Sequence, residues 1–141
     1  MAHGLGQTKR KAILDNLFNG GTLTAETTWY ISLHTGDPGA DGQTANEVSG
    51  NNYSRVNYGD NWTAGTAATP SVVDNTNDIV FPTASGSWGT ITYAAVWNHA
   101  SATAAANFIA RVALTPPQAI DSGNVATIPS GTLDISLGVS T

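Results

Sequence analysis

Thr28-Trp29-Tyr30-Ile31-Ser32-Leu33-His34-Thr35-Gly36-Asp37-Pro38-Gly39 is the stretch on which the fold turns. Its first half alternates. Trp29, Ile31 and Leu33 fall on one side of an extended chain, and Tyr30, Ser32 and His34 fall on the other, because strand side chains switch faces at every residue. The aromatic and β-branched types suit a pleated surface, so the pattern predicts a strand with one buried face. Gly36, Asp37, Pro38 and Gly39 then end it. Proline removes a ladder donor and glycine permits positive φ, so the chain must turn here. Glu47-Val48-Ser49-Gly50 and Tyr53-Ser54-Arg55-Val56 read as the return into the sheet.

Outward from this stretch the chain reads as short strands and turns. Strands are predicted over 28–34, 53–58, 71–74, 78–81, 90–97, 107–114, 124–128 and 132–138. Asp60-Asn61, Gly65, Asn75-Thr76-Asn77, Ser85-Gly86, Pro116-Pro117, Ser122-Gly123 and Ser130-Gly131 punctuate them. Within 90–97, Ile91, Tyr93, Ala95 and Trp97 are assigned to one face, with Ile91, Tyr93 and Trp97 meeting Trp29, Ile31 and Leu33 in the core. The alanine-rich segment 100–106 is read as a loop. A single helix is predicted over 7–18, with Ile13, Leu14, Leu17 and Phe18 on one face, Thr8 as N-cap and Gly20-Gly21 as the stop. A helix this short is marginal in water, so it must pack on the sheet or on a neighbour. The expected class is mainly β: a β-sandwich, jelly-roll-like, with a short N-terminal α-helix. An N-terminal arm and helix (1–22) precede the β-sandwich domain (23–141).

Composition narrows the function classes. The chain has 141 residues and no cysteine, so disulfides and thiolate chemistry are excluded. Ten acidic residues against five basic ones give a net charge of −5. Lys9, Arg10 and Lys11 supply three of the five, leaving Arg55 and Arg111 for the remainder. An acidic body argues against nucleic acid, whose phosphates call for clustered Lys and Arg. No apolar run approaches the roughly 20 residues of a membrane helix, and no signal-peptide pattern is expected at the start. Neither a 20–50-residue repeat nor a sustained heptad is present, so the chain carries no fibre shaft.

The strand ending Leu33-His34-Thr35-Gly36-Asp37-Pro38-Gly39, with Glu47-Val48-Ser49-Gly50 and Tyr53-Ser54-Arg55-Val56, resembles a group of short phage virion proteins often labelled tail-fibre proteins. The likeness continues through the opening helix, Val80-Phe81-Pro82, Ser87-Trp88-Gly89-Thr90-Ile91-Thr92, Ala113-Leu114-Thr115-Pro116-Pro117 and Gly131-Thr132-Leu133-Asp134-Ile135. Such domains are also similar to capsid cement proteins. The resemblance implies a virion location, assembly in the host bacterial cytoplasm, and partners among the major capsid protein or other virion proteins.

Enzyme constellations fail on the residues themselves. His3, His34 and His99 have no metal-binding spacing, and no Gly-x-Ser-x-Gly elbow or phosphate loop occurs. His34 is read as a hydrogen-bonded surface histidine. Glu26 and Glu47 are the only glutamates, and nothing in the pattern brings an acidic pair together. Asp37 and Asp41, among Gly36, Gly39 and Gly42, read first as turn residues, with a calcium ion as the alternative. Trp62, in the polar run Asp60-Asn61-Trp62-Thr63, is either an interface contact or locally packed, with glycan binding a third reading. Lys9, Arg10 and Lys11 oppose the helix dipole, which marks them as a docking patch for an outside partner. The expected function is a non-enzymatic phage virion structural protein without metal or cofactor. A capsid cement or decoration protein, with a trimer at threefold positions, is preferred; a tail-fibre or tail-tip domain holding host glycans is the alternative.

Overall fold

The computed structural model describes residues 4–137; His3 and position 138, the expected end of the last strand, lie outside it. In chain order the elements are β1 (Gly4–Leu5), α1 (Gln7–Phe18), β2 (Tyr30–His34), β3 (Val56–Asn57), β4 (Ser71–Val73), β5 (Ile79–Thr83), β6 (Gly89–Trp97), a 3-10 turn (Ala105–Asn107), β7 (Phe108–Ile120), β8 (Val125–Ile128) and β9 (Ile135–Leu137). A five-stranded antiparallel sheet has the order β1-β7-β6-β2-β3. Two antiparallel ribbons, β4–β9 and β5–β8, form the opposing layer. Ile79, Phe81, Ala126 and Ile128 of the ribbons bury against Ile31, Leu33, Ala94, Val96 and Ile109 of the sheet. The architecture is therefore mainly β and sandwich-like, with one short helix.

The sequence pattern located β2 within two residues but underestimated its burial. Ile31, Ser32, Leu33 and His34 are all buried, so both faces of this strand are covered. The second face carries Ala95, Trp97 and Phe108, with Tyr30 packed beside them. The 35–55 connection closes over it. A Cβ at Gly42, where φ is +75°, would stand 2.6–2.7 Å from the Phe108 ring, and a Cβ at Gly6 would stand 2.6 Å from it. Only glycine lets two chain segments approach that ring so closely.

The expected faces of the 90–97 strand are corrected. Ile31 pairs with Val96 and Leu33 with Ala94, whereas Tyr30 pairs with Trp97. Trp97, Ala95 and Tyr93 consequently point away from the Ile31–Leu33 side. Ile91 does reach the main core, because the ladder slips between Ile91 and Tyr93. Ile91 lies opposite Gln118 and Tyr93 opposite Ala113, so Thr92 faces four residues of β7. Pro116 and Pro117 sit in that bulge, where their missing N–H groups cost no ladder bond. β7 thus runs on to Ile120 through prolines that read as its end.

The arm and helix also differ from expectation. β1 joins the sheet through Gly4↔Arg111 and Leu5↔Ala110, so a division at residue 22 does not separate arm from sheet. Gly6, not Thr8, occupies the N-cap, its carbonyl accepting from the Arg10 N–H at 3.0 Å. The expected stop holds: Gly20 has φ 68°, and the Asn19 and Gly21 N–H groups both donate to the Asp15 carbonyl at 2.9 Å. No helix residue is buried. Leu14, Leu17 and Phe18 are 57, 67 and 83% exposed, so the apolar row faces away from the chain's own core.

Trp97 and Leu17 should therefore respond oppositely to truncation. Trp97→Ala is expected to lower unfolding stability by about 3–5 kcal/mol, and Leu17→Ala to change it by less than about 0.5 kcal/mol, in urea titrations of dilute protein. Comparable losses at the two positions would contradict this assignment of core and surface.

Candidate functional site

Arg55 gathers more polar contacts than any other side chain at the second face. Its Nε and Nη2 donate to the two Glu47 carboxylate oxygens at 2.7 Å each. Nη1 donates to the carbonyls of His99 and Ala102 at 3.1 and 3.0 Å. The guanidinium lies 4.0 Å from the Trp97 ring centre. At 4% and 13% exposure, Arg55 and Glu47 form a nearly dry bidentate pair. The Tyr53 hydroxyl donates to Glu47 at 3.2 Å and accepts from the Leu33 N–H at 3.0 Å; burial first, then the Glu47 charge, pushes its ionisation far up. This cluster fastens the 35–55 connection to the sheet.

Inside the cluster, Ser32 and His34 form a hydrogen bond of 2.7 Å between Oγ and Nε2. The Trp97 indole N–H donates to the same Oγ at 2.8 Å. Both residues are 0% exposed, so His34 is buried rather than at the surface. The Ser32 hydroxyl is held between the His34 imidazole and the Trp97 indole. His34 Nδ1 has no partner. Burial, outweighing Glu47 and Asp37 nearby and aided by Arg55, lowers the His34 pKa to about 4.

The turn aspartates serve the chain itself. Asp37 Oδ1 accepts from the Gly39 N–H at 2.8 Å and pairs with Arg111 at 3.0 Å. Asp41 accepts from the Gln43 amide at 2.9 Å. Among the described residues no group of three or more His, Asp or Glu side chains converges. An acidic pair does form where the sequence showed none. Asp74 and Asp134 are neighbours at the end of the β4–β9 ribbon, and the Asp134 carboxyl, with burial second, raises the Asp74 pKa from its ordinary value.

The basic cluster is largely committed within the chain. Lys9 pairs with Glu26 and Lys11 with Asp15, leaving Arg10 with no ion pair among the described residues. Trp62 is half-buried; its ring meets Tyr58 edge-on at 5.1 Å, and its N–H has no partner. Its exposed side, with Trp29, Asp60, Val73 and Ile135, lines an open hollow of about 280 Å³. What the molecule presents outward is therefore an apolar helix row and an aromatic hollow, while its strongest polar groups are turned inward.

A family model described as podophage GP4 fiber I protein gp80 matches residues 4–136. The chain belongs to this family. It is accordingly a member of a phage fibre and virion structural protein family, as the motifs around His34-Thr35-Gly36-Asp37-Pro38 imply. No curated protein matches it. Among the described residues no helix is long and apolar enough to cross a membrane. Of the residues that sequence reasoning singled out, Asp37 and Asp41 lie in one loop, Trp62 borders the hollow, and Lys9, Arg10 and Lys11 open α1. Arg55 and Glu47 went unmarked as a pair, although their placement on the returning segment was the available signal.

The buried imidazole makes stability pH-dependent with a definite sign. Because the folded pKa of about 4 lies below the unfolded 6.5, the unfolded chain takes up this proton first as pH falls. The contribution of neutral His34 is complete above pH 6.5 and is lost towards pH 4, about 3 kcal/mol in total. Asp74 has the opposite sign: its contribution is lost as pH rises through its raised folded pKa. Urea midpoints of wild type and His34→Gln, measured across that window, should differ in slope. Parallel profiles would remove His34 as the source.

Proposed function

We propose that the chain is a non-enzymatic structural subunit of a phage fibre assembly, held in the virion by contacts with other virion proteins. The family match over residues 4–136 carries this reading. The chemistry of the molecule supports it. Ser32 and His34 are sealed from solvent, and Asp37 is engaged by Arg111. Surfaces suited to association remain outside: three exposed apolar residues on α1 and a hollow lined by two tryptophans.

A second reading, capsid cement or decoration, is favoured by the compact two-layer form of the described residues. Bound to the major capsid protein as a trimer at threefold positions, such a unit would act through many modest interfaces. A receptor-binding role would use the same tryptophans, since indole faces stack on the apolar patches of sugars. Assembly in the bacterial cytoplasm is consistent with either location.

Location separates the readings. Particles carrying an epitope-tagged copy should bind antibody gold at the tail, and quantitative mass spectrometry should count a few to tens of copies per particle. Label spread over the head, with hundreds of copies, would replace the fibre reading with the cement reading.

A further inference from the structure

Two surfaces of opposite shape stand uncovered among the described residues. One is a row on α1. Arg10, Leu14, Leu17 and Phe18 follow the i, i+4, i+7, i+8 spacing of one helix face, and the three apolar members are 57, 67 and 83% exposed. The other is the hollow of about 280 Å³ between Trp29, Trp62, Val73, Ile109 and Ile135, with the exposed Asp60 on its wall. At the small end of the roughly 300–1,000 Å³ range of ligand sites, this hollow has room for one or two side chains.

The charges match as the shapes do. Among the described residues, four of the five basic side chains are in ion pairs and Arg10 is the exception. Asp60, on the wall of the hollow, has no ion pair among the described residues. A helix row headed by an arginine with no ion pair among the described residues thus complements an apolar hollow with one carboxylate on its wall.

The two surfaces lie on opposite sides of the five-stranded sheet. Gly6, immediately before α1, stands over Phe108 of the second face, while the hollow is lined by Val96 and Ile109 of the core face. A copy cannot fill its own hollow. We propose that α1 of one copy docks in the hollow of a second copy, with Leu17 and Phe18 entering between Trp29 and Trp62 and Arg10 facing Asp60. The contact joins unlike surfaces, so it repeats head to tail and either closes into a ring or extends as a filament. It deepens the structural-subunit reading above, on which it rests, by naming how copies join.

Sedimentation velocity on the full chain, up to millimolar concentration, tests it. Wild type should associate, and Phe18→Ser and Asp60→Arg should each associate at least roughly ten-fold more weakly while keeping the wild-type circular dichroism and melting curve. Leu14→Ser replaces Phe18→Ser if the latter disturbs the fold. Each variant retains one intact surface, so an equimolar mixture of the two should form heterodimers and nothing larger. A monomeric wild type, unimpaired association of Asp60→Arg, or a mixture no larger than its components would each overturn the proposal. Gold labelling of particles does not depend on this contact. A chain located in fibres yet monomeric in solution removes the inference and leaves the functional reading standing.

Discussion

The position of Arg55 is the constraint that the second face depends on. A guanidinium removed from water is costly unless its five N–H donors and its charge find partners. Here the donors reach both oxygens of Glu47 and two carbonyls of the 99–102 turn, and the plane rests on Trp97. The partners come from three segments, the 35–55 connection, the 99–102 turn and β6. One side chain therefore fastens the returning loop, the β6–β7 connection and the sheet at a single point. Lysine at this position would lose the fork that makes the arrangement possible.

Around that point the second face is polar inside and closed by small residues outside. Trp97 donates to Ser32, Ser32 contacts His34, and Gly6 and Gly42 let the backbone lie against Phe108. The main core, between sheet and ribbons, is the ordinary apolar kind. The molecule thus has one face stabilised by area and another by hydrogen-bond geometry. The second is the more sensitive to protonation, because a neutral buried imidazole has no alternative partner for a second proton.

Membership in a phage fibre family fits a chain that pairs most of its cations with its own acids and turns its apolar helix outward. Among the described residues four basic side chains are in ion pairs within the chain, so aspartates dominate the surface charge, with Arg10 as the exception. Acidic subunits repel one another at long range. Contact between them then depends on short-range apolar burial, which a helix row and a tryptophan-lined hollow can supply.

The sequence by itself determined the class and the family: alternation through Trp29–His34, glycine–proline punctuation, one helix at 7–18 and the motifs of the 35–58 segment are all local signals. It also located the helix stop at Gly20, since a positive φ is a property of the residue there. Tertiary structure decided the rest. Which face of β6 meets the core depends on its register with β2, more than sixty positions away, where Ile31 pairs with Val96 and Tyr30 with Trp97. Whether His34 is wet or dry depends on a loop that closes over it, and whether Asp74 meets Asp134 depends on a pairing between β4 and β9 sixty residues apart. Periodicity reports the direction in which a side chain points; only the packed fold supplies what it meets there.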